Sequence, residues 1–446
     1  MFDLLLRGGT VINATGALRA DLGVTGGRVA ALLAPGEPAA ARAEHRVSGC
    51  YLLPGLVDAH VHLREPGLTH KEDFSSGTRA AAAGGVTTLL DMPTDDPWTS
   101  TARELRDKMR LATGRLHVDV GFQAALRHDL ADLESIRALN PVSFEVFTAD
   151  VPAAFLHETQ SDLVRALKAL APLGILACVS PGDQSILNAA MSDGVGVGDG
   201  SIAAFLASRP PLAEASGIAR AVLAAADTGA RVHVRQTNSA LGIDTWRRLR
   251  DLADVSIETT PQCLFFTAAD YAQHGANLKA SPPMRERADV DAMRAAMRDG
   301  LIDIIATDHA PHAREEKATH YDVFADVPGG MPGVQTLLAT MLHFVATGDI
   351  DLPALVRMCS ANPAQRFGLG ERKGALMPGR DADILVLDPA QTTRITNADQ
   401  LSRAAYTPFD GMLVQGRLTA VYLRGVQVDD MKPAGKVIGD EAHGHA

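Results

Sequence analysis

Two histidines separated by one residue, His60 and His62, follow an apolar run in the stretch DAHVHLREPG, residues 58–67. Side chains two apart on a β-strand point to the same face, so both imidazoles project together from one strand end. Neutral imidazole is a common ligand of divalent metals, and this spacing offers two nitrogens to one ion. A second chemical stretch lies far downstream in IIATDHAPH, where Asp308 precedes His309 and His312 follows. A carboxylate there can ligate a metal or serve as a general acid or base. Arg64 lies two residues beyond His62 and shares its face, and a guanidinium there suits a planar carboxylate through two parallel hydrogen bonds. Each residue also has a plainer use: core histidines, Asp308 as a helix cap, and Arg64 paired with Glu65 or Asp73.

These residues need elements to bring them together across some 250 residues of chain. Short apolar runs alternate with helical stretches through the middle of the sequence: LVDAHVHL, VTTLLDM, VDVGFQA, SFEVFTA, GILACVS, RVHVRQT, VSIETTP and IDIIATDHA are the candidate strands. Segments such as SDLVRALKALAPL and DVDAMRAAMRDG between them have helical composition. Eight strands alternating with helices predict an α/β fold, a parallel (β/α)8 TIM barrel, with a doubly wound open sheet as the competing arrangement. A barrel carries its reactive residues at the C-terminal ends of strands, and the HVH triplet sits at such an end. The two chain ends share another texture, β-rich pieces broken by glycine turns, as in LLLRGGTVIN and GRLTAVYLRGVQV. They are expected to meet in one small β-sandwich. The expected division is residues 1–53 and 375–446 in the sandwich and 54–374 in the barrel.

Composition narrows the function classes. The 446 residues are 46% hydrophobic and 21% charged, with 42 Lys+Arg against 53 Asp+Glu and a formal net charge of −11. Clustered positive charge is missing, so a nucleic-acid or anionic-membrane surface is not expected. The four cysteines, Cys50, Cys178, Cys263 and Cys359, are scattered without a CxxC pair, which fits reduced thiols and a cytoplasmic protein. The first residues lack the basic stretch and apolar core of a signal peptide, and no run reaches the roughly 18–20 apolar residues of a membrane span. The tail EAHGHA holds His443 and His445, read as a disordered terminus rather than a metal site.

The blocks PGLVDAHVHLREPG, GTRAAAAGGVTTLLDMP, ATDHAPH, NPAQRFGL and KGALMPGRDADILVLD, in this order, make the chain resemble the cyclic amidohydrolases: dihydroorotase, allantoinase and hydantoinase. The resemblance covers nearly the whole chain. It implies a metal-bearing barrel mouth, with His60 and His62 holding a metal and Asp308 both ligating it and carrying the proton. The position of the family's metal-bridging, carboxylated lysine falls on Glu145, whose own carboxylate could ligate. The second-metal positions depart: one falls on Cys178, a candidate thiolate ligand, and another on Gln236, three residues after His233. Further departures fall at Thr94, Ser281 and Gln262, around the expected pocket. The resemblance therefore implies one divalent metal rather than two, zinc first and manganese or iron as alternatives, on His60, His62, Glu145 and Asp308. Arg64 and His312 match the carboxylate contacts of dihydroorotases, with Thr94 and Ser281 nearby in the substrate pocket.

The expected activity is metal-dependent hydrolytic opening of a cyclic amide, dihydroorotate first. Two alternatives stand beside it. One is a silenced homologue acting as a structural or regulatory subunit, for instance with aspartate transcarbamoylase. The other is a single-metal amidohydrolase of different specificity, acting on allantoin, a hydantoin or an acyclic amide. A homo-oligomer is implied by the resemblance alone.

Overall fold

The computed structural model describes residues 1–192, 200–317, 321–428 and 432–439. His443 and His445 lie outside them. The chain starts with five strands, β1 (Phe2–Asn13), β2 (Gly16–Thr25), β3 (Arg28–Leu33), β4 (Ala41–Arg46) and β5 (Tyr51–Pro54). Eight more follow through the middle: β6 (Leu56–Val61), β7 (Val86–Asp91), β8 (Asp119–Ala125), β9 (Ser143–Phe147), β10 (Ala177–Ser180), β11 (Val232–Val234), β12 (Val255–Thr259) and β13 (Ile304–Ile305). The last three are β14 (Ile384–Arg394), β15 (Leu413–Leu423) and β16 (Val426–Gln427).

The middle eight lie side by side in chain order, β6 through β13, every measured pairing parallel. The ring closes between its first and last members. Val61 bridges His309 in parallel, and the His62 amide donates to the His309 carbonyl at 2.7 Å. Every residue of β6, β7, β8 and β9 is buried, which is why these strands read as continuous apolar runs rather than alternating ones. This is the (β/α)8 barrel expected from the strand count. Two strands are shorter than their apolar runs, β11 with three residues and β13 with two. Both end where the backbone turns left-handed shortly afterwards, at Gln236 (φ 44°) and Asp308 (φ 47°).

Both chain ends contribute to one other sheet, ordered β16-β15-β14-β5-β1-β2-β3 with β4 paired to β1. Its own apolar core includes Leu6, Leu22, Leu52, Ile384 and Tyr422. The sheet is riveted to the barrel at Lys373. Its Nζ lies 2.6 Å from Asp119 at the start of β8, 2.7 Å from Asp383 and 3.0 Å from Asp381, and Arg424 also pairs with Asp119. The three aspartates would otherwise repel one another in a buried space, so the lysine is what makes their burial tolerable. Replacing it by methionine leaves Asp383 buried without its cation, while Arg424 still meets Asp119 and Arg372 still meets Asp381. Lys373→Met is expected to cost about 3–5 kcal/mol, read as a lowered urea midpoint.

The loop after β6 is shaped to keep the mouth in place. Asp73 caps the helix Phe74–Ala83 by accepting from the Ser76 amide at 2.7 Å, and Glu65 accepts from the Phe74 amide. Gly67 sits at φ +83°, where a Cβ would fall 2.0 Å from the Asp96 carbonyl oxygen. Only glycine allows the loops after β6 and β7 to touch there. Among the described residues no helix is long and apolar enough to cross a membrane.

Candidate metal centre

His60 lies within β6, His62 one residue beyond it, and Asp308 three residues beyond β13. All three stand at the C-terminal mouth of the barrel, where loops leave reactive side chains accessible. The Nε2 atoms of His60 and His62 are each 3.3 Å from Oδ1 of Asp308. Charge-assisted N–H···O bonds run shorter, about 2.7–2.9 Å. A tetrahedral ion with bonds of about 2.0–2.1 Å holds its ligands about 3.3–3.4 Å apart, so each nitrogen already stands at such an edge length from the oxygen, and all three atoms lie within 4.8 Å of one another. The donor set, two imidazoles and one carboxylate with open positions, suits zinc and equally iron(II).

The far nitrogens of both rings are fixed. His60 Nδ1 is 2.6 Å from Oε1 of Glu258 at the end of β12, and His62 Nδ1 is 2.9 Å from Oγ1 of Thr94. A proton on each Nδ1 leaves each Nε2 with its lone pair toward Asp308, the arrangement a metal requires. Burial lowers the His62 pKa to about 3, with the positive charge of Arg64 adding to it, so this ring is neutral. Burial also acts against a charged His60, but Asp308 and Glu258 outweigh it and the pKa rises. Asp308 in turn is held below the usual carboxylate range, because the neighbouring His60 and the Gln236 hydrogen bond help overcome the cost of its burial. Thr94→Val removes the acceptor from His62 without changing side-chain shape. It is expected to weaken metal affinity by about 10-fold, measured by chelator competition.

Asp308 itself is braced from two sides. Gln236 donates from Nε2 to Oδ2 at 2.6 Å, and Asp58 accepts from the amide and hydroxyl of the preceding Thr307 at 3.0 and 2.5 Å. Arg64, Gln236 and Asp308 all have positive φ, at 61°, 44° and 47°. Left-handed backbone at non-glycine residues costs about 1–3 kcal/mol each and persists where neighbours over-determine it. Here those neighbours are the site's own hydrogen bonds.

The other expected residues divide. Arg64 is buried at the mouth, donating from Nε to the Pro311 carbonyl at 3.2 Å, with Nη2 3.3 Å from Nε2 of His312. Its two suggested acidic partners are engaged elsewhere, Glu65 with Arg115 and Asp73 with Arg403. Among the described residues no carboxylate forms an ion pair with Arg64. His312 is pushed down to about 3 by burial and the nearby cations, Arg64 first, so it is neutral beside the Lys71 amine and the Gly329 carbonyl. Ser281 and Gln236 line a cavity of about 240 Å³ next to the metal group, walled by Phe147, Pro181, Leu187 and Pro282. Gln262 donates to the Thr307 carbonyl and so supports the turn that carries Asp308.

Glu145 and Cys178 are not brought into the group. The Glu145 carboxylate on β9 is paired with Arg235, which directly follows β11. A buried unmodified carboxylate needs a cation, and the guanidinium meets that need before any metal does. Cys178 is buried in an apolar cluster with Ala59 and Ile304, and burial raises its thiol well above the ordinary range. That makes it an inert side chain, not a thiolate ligand. His233 does not move toward the metal either; it spans Ser256 and Glu258 at 2.8 and 2.9 Å.

Three residues that support the centre were not singled out in the sequence: Glu258, Arg235 and Lys108. Lys108 is buried with Asp91 and Asp95 at 2.7 and 2.5 Å and anchors the loop that presents Thr94. The signal for Arg235 was its place two residues after His233, which puts both side chains on one face of an otherwise apolar strand.

Comparison with known proteins gives the family. The model of the Amidohydrolase family matches residues 51–428. An allantoinase of Streptomyces avermitilis is 35% identical over 450 residues, spanning 98% of this chain and 99% of that protein. A dihydroorotase of Halobacterium salinarum is 35% identical over 377 residues, 83% of each chain. In structure the chain is similar to an L-hydantoinase (dihydropyrimidinase) from Arthrobacter aurescens, with a TM-score of 0.91, 30% identity and 98% of each chain covered.

Proposed function

Because the chain belongs to the amidohydrolase family, we propose that it hydrolyses a cyclic amide, using one divalent metal held by His60, His62 and Asp308. The convergence of both Nε2 atoms on Oδ1 of Asp308, each at tetrahedral edge length from it, carries this reading. The metal, when bound, would lower the pKa of a water from about 15.7 toward 7 and polarise the ring carbonyl. Asp308 accepts the proton of the attacking water. As the ring C–N bond breaks, the same carboxylate delivers that proton to the leaving nitrogen. Gln236 keeps Oδ2 of Asp308 in place while this happens. Glu258 and Thr94 stop the two imidazoles from rotating.

The cavity beside Gln236 and Ser281 is sized for a small ring. Arg64, a buried cation with no carboxylate paired to it among the described residues, favours a ring that brings one. Dihydroorotate is accordingly the first candidate. Allantoin and the hydantoins come next, matching the names of other relatives. The test is a panel of dihydroorotate, allantoin, hydantoin and dihydrouracil with protein loaded separately with Zn²⁺, Mn²⁺ and Fe²⁺. Ring opening of at least one substrate is expected, and silence across the panel would sink the reading.

A second reading has one observation in its favour. The paired Glu145 and Arg235 are a departure that a silenced chain, serving as a subunit of an enzyme such as aspartate transcarbamoylase, would tolerate. Metal content separates the two: a silenced subunit has no need to keep an ion, whereas about one ion per chain supports the hydrolase.

A further inference from the structure

Arg235 follows directly on β11 and its side chain is 0% exposed, among the largest fully buried side chains among the described residues. A guanidinium has five N–H donors, and here all five have acceptors. Nε faces Glu145 Oε2 at 3.5 Å, and Nη2 donates to Glu145 Oε1 and, at 2.5 Å, to Gln123 Oε1. Nη1 donates to the Ala59 carbonyl at 2.9 Å and to Glu258 Oε2 at 3.0 Å. The acceptors come from β6, β8, β9 and β12, so one side chain ties four strands beneath the metal group. Phe367 closes the space below, its ring 5.6 Å from the guanidinium carbon.

The consequence runs through Glu258. Its other oxygen holds His60 Nδ1. Two carboxylates, Glu145 and Glu258, would otherwise stand uncompensated in the barrel interior and draw in a cation. The guanidinium occupies the space between them, so a second ion could enter only by displacing it.

We propose that Arg235 is a positioning residue acting as a built-in cation: it confines the centre to one divalent ion and locks Glu258 onto His60, so that His60 Nε2 faces the metal. This rests on the metal site proposed above. It concerns what sets the affinity and number of ions, not which ring is opened.

The test is titration of the metal-free full chain with Co²⁺, read by equilibrium dialysis and by the visible ligand-field bands. Wild type is expected to saturate at one equivalent even in tenfold excess of metal. The double variant Glu145→Gln/Arg235→Gln removes the pair together and so avoids a lone buried charge. It is expected to stay folded by circular dichroism yet bind Co²⁺ about 10–100-fold more weakly with altered bands, because Glu258 loses the guanidinium and keeps only His233 on Oε2. Arg235→Lys keeps the charge but lacks the fork that reaches both carboxylates, so it is expected to fall between the two. It serves as the deciding variant should the double fail to fold. A second equivalent in the wild type, or variants that bind as tightly as wild type with unchanged bands, would overturn the inference while leaving the metal site standing. No Co²⁺ bound by the wild type at all would overturn the metal site, and this inference with it.

Discussion

Asp308→Asn is expected to reduce kcat by about 10³–10⁴-fold while leaving the fold intact. The lower bound comes from losing a proton carrier, an effect of about 10²–10⁴ in its own right. The rest comes from losing an anionic ligand opposite His60 and His62. Asparagine is the informative replacement because it tolerates the left-handed backbone at φ 47°, whereas alanine or valine would add strain unrelated to chemistry. The amide can still meet the Gln236 side chain. Thermal unfolding of the variant should therefore sit within about 1–2 °C of wild type, a shift of about 1 kcal/mol in a chain this size. Bound metal should fall with activity. A variant that keeps more than a tenth of wild-type kcat would remove Asp308 from the chemistry.

The parts of this site legible in the sequence are those written in consecutive residues. HVH, with Arg64 two positions on, needs only the period of a strand to be read, and DHAPH lies at the end of a run that any count of eight strands places at the mouth. The barrel was legible for the same reason: a strand buried on both faces is a local apolar run. What was not legible depends on which strands become neighbours. Glu258 meets His60 across 198 positions of sequence, and Arg235 meets Glu145 across 90. Neither pairing leaves a mark in either stretch alone. Gln236 shows a further limit. Strict alternation separates it from Arg235, but a positive φ at Gln236 ends the strand and brings its amide to Asp308 at the mouth. Parity arguments hold along a strand and stop where it turns.

Glu145 shows how one neighbour changes a role. From the sequence it offers a carboxylate at the position where the resemblance implies a metal-bridging, modified lysine, and ligation is the expectation. With Arg235 two strands away, the same carboxylate is neutralised inside the barrel. Both members of the pair are fully buried inside the barrel. The loops above it, with Arg64, Thr94 and the cavity at Ser281, are left to decide what is bound.

That division makes Arg64 the residue whose replacement should change specificity most. Arg64→Lys is expected to lower kcat/KM for a carboxylate-bearing ring by about 10²-fold, mainly through KM. Charge-assisted hydrogen bonds contribute about 1.5–3 kcal/mol, and a lysine cannot reproduce two parallel ones. Lysine meets the same backbone cost as arginine at φ 61°, so the comparison is free of a change in strain. Neutral rings such as hydantoin make no demand on this charge and should lose less than about threefold. The measurement is kcat/KM for dihydroorotate and for hydantoin in wild type and variant under identical metal loading. A drop confined to dihydroorotate places the substrate carboxylate on Arg64. Equal losses on both would mean that its contacts to Pro311 and His312 serve to hold the mouth together, and that the ring is recognised from the Ser281 side of the cavity instead.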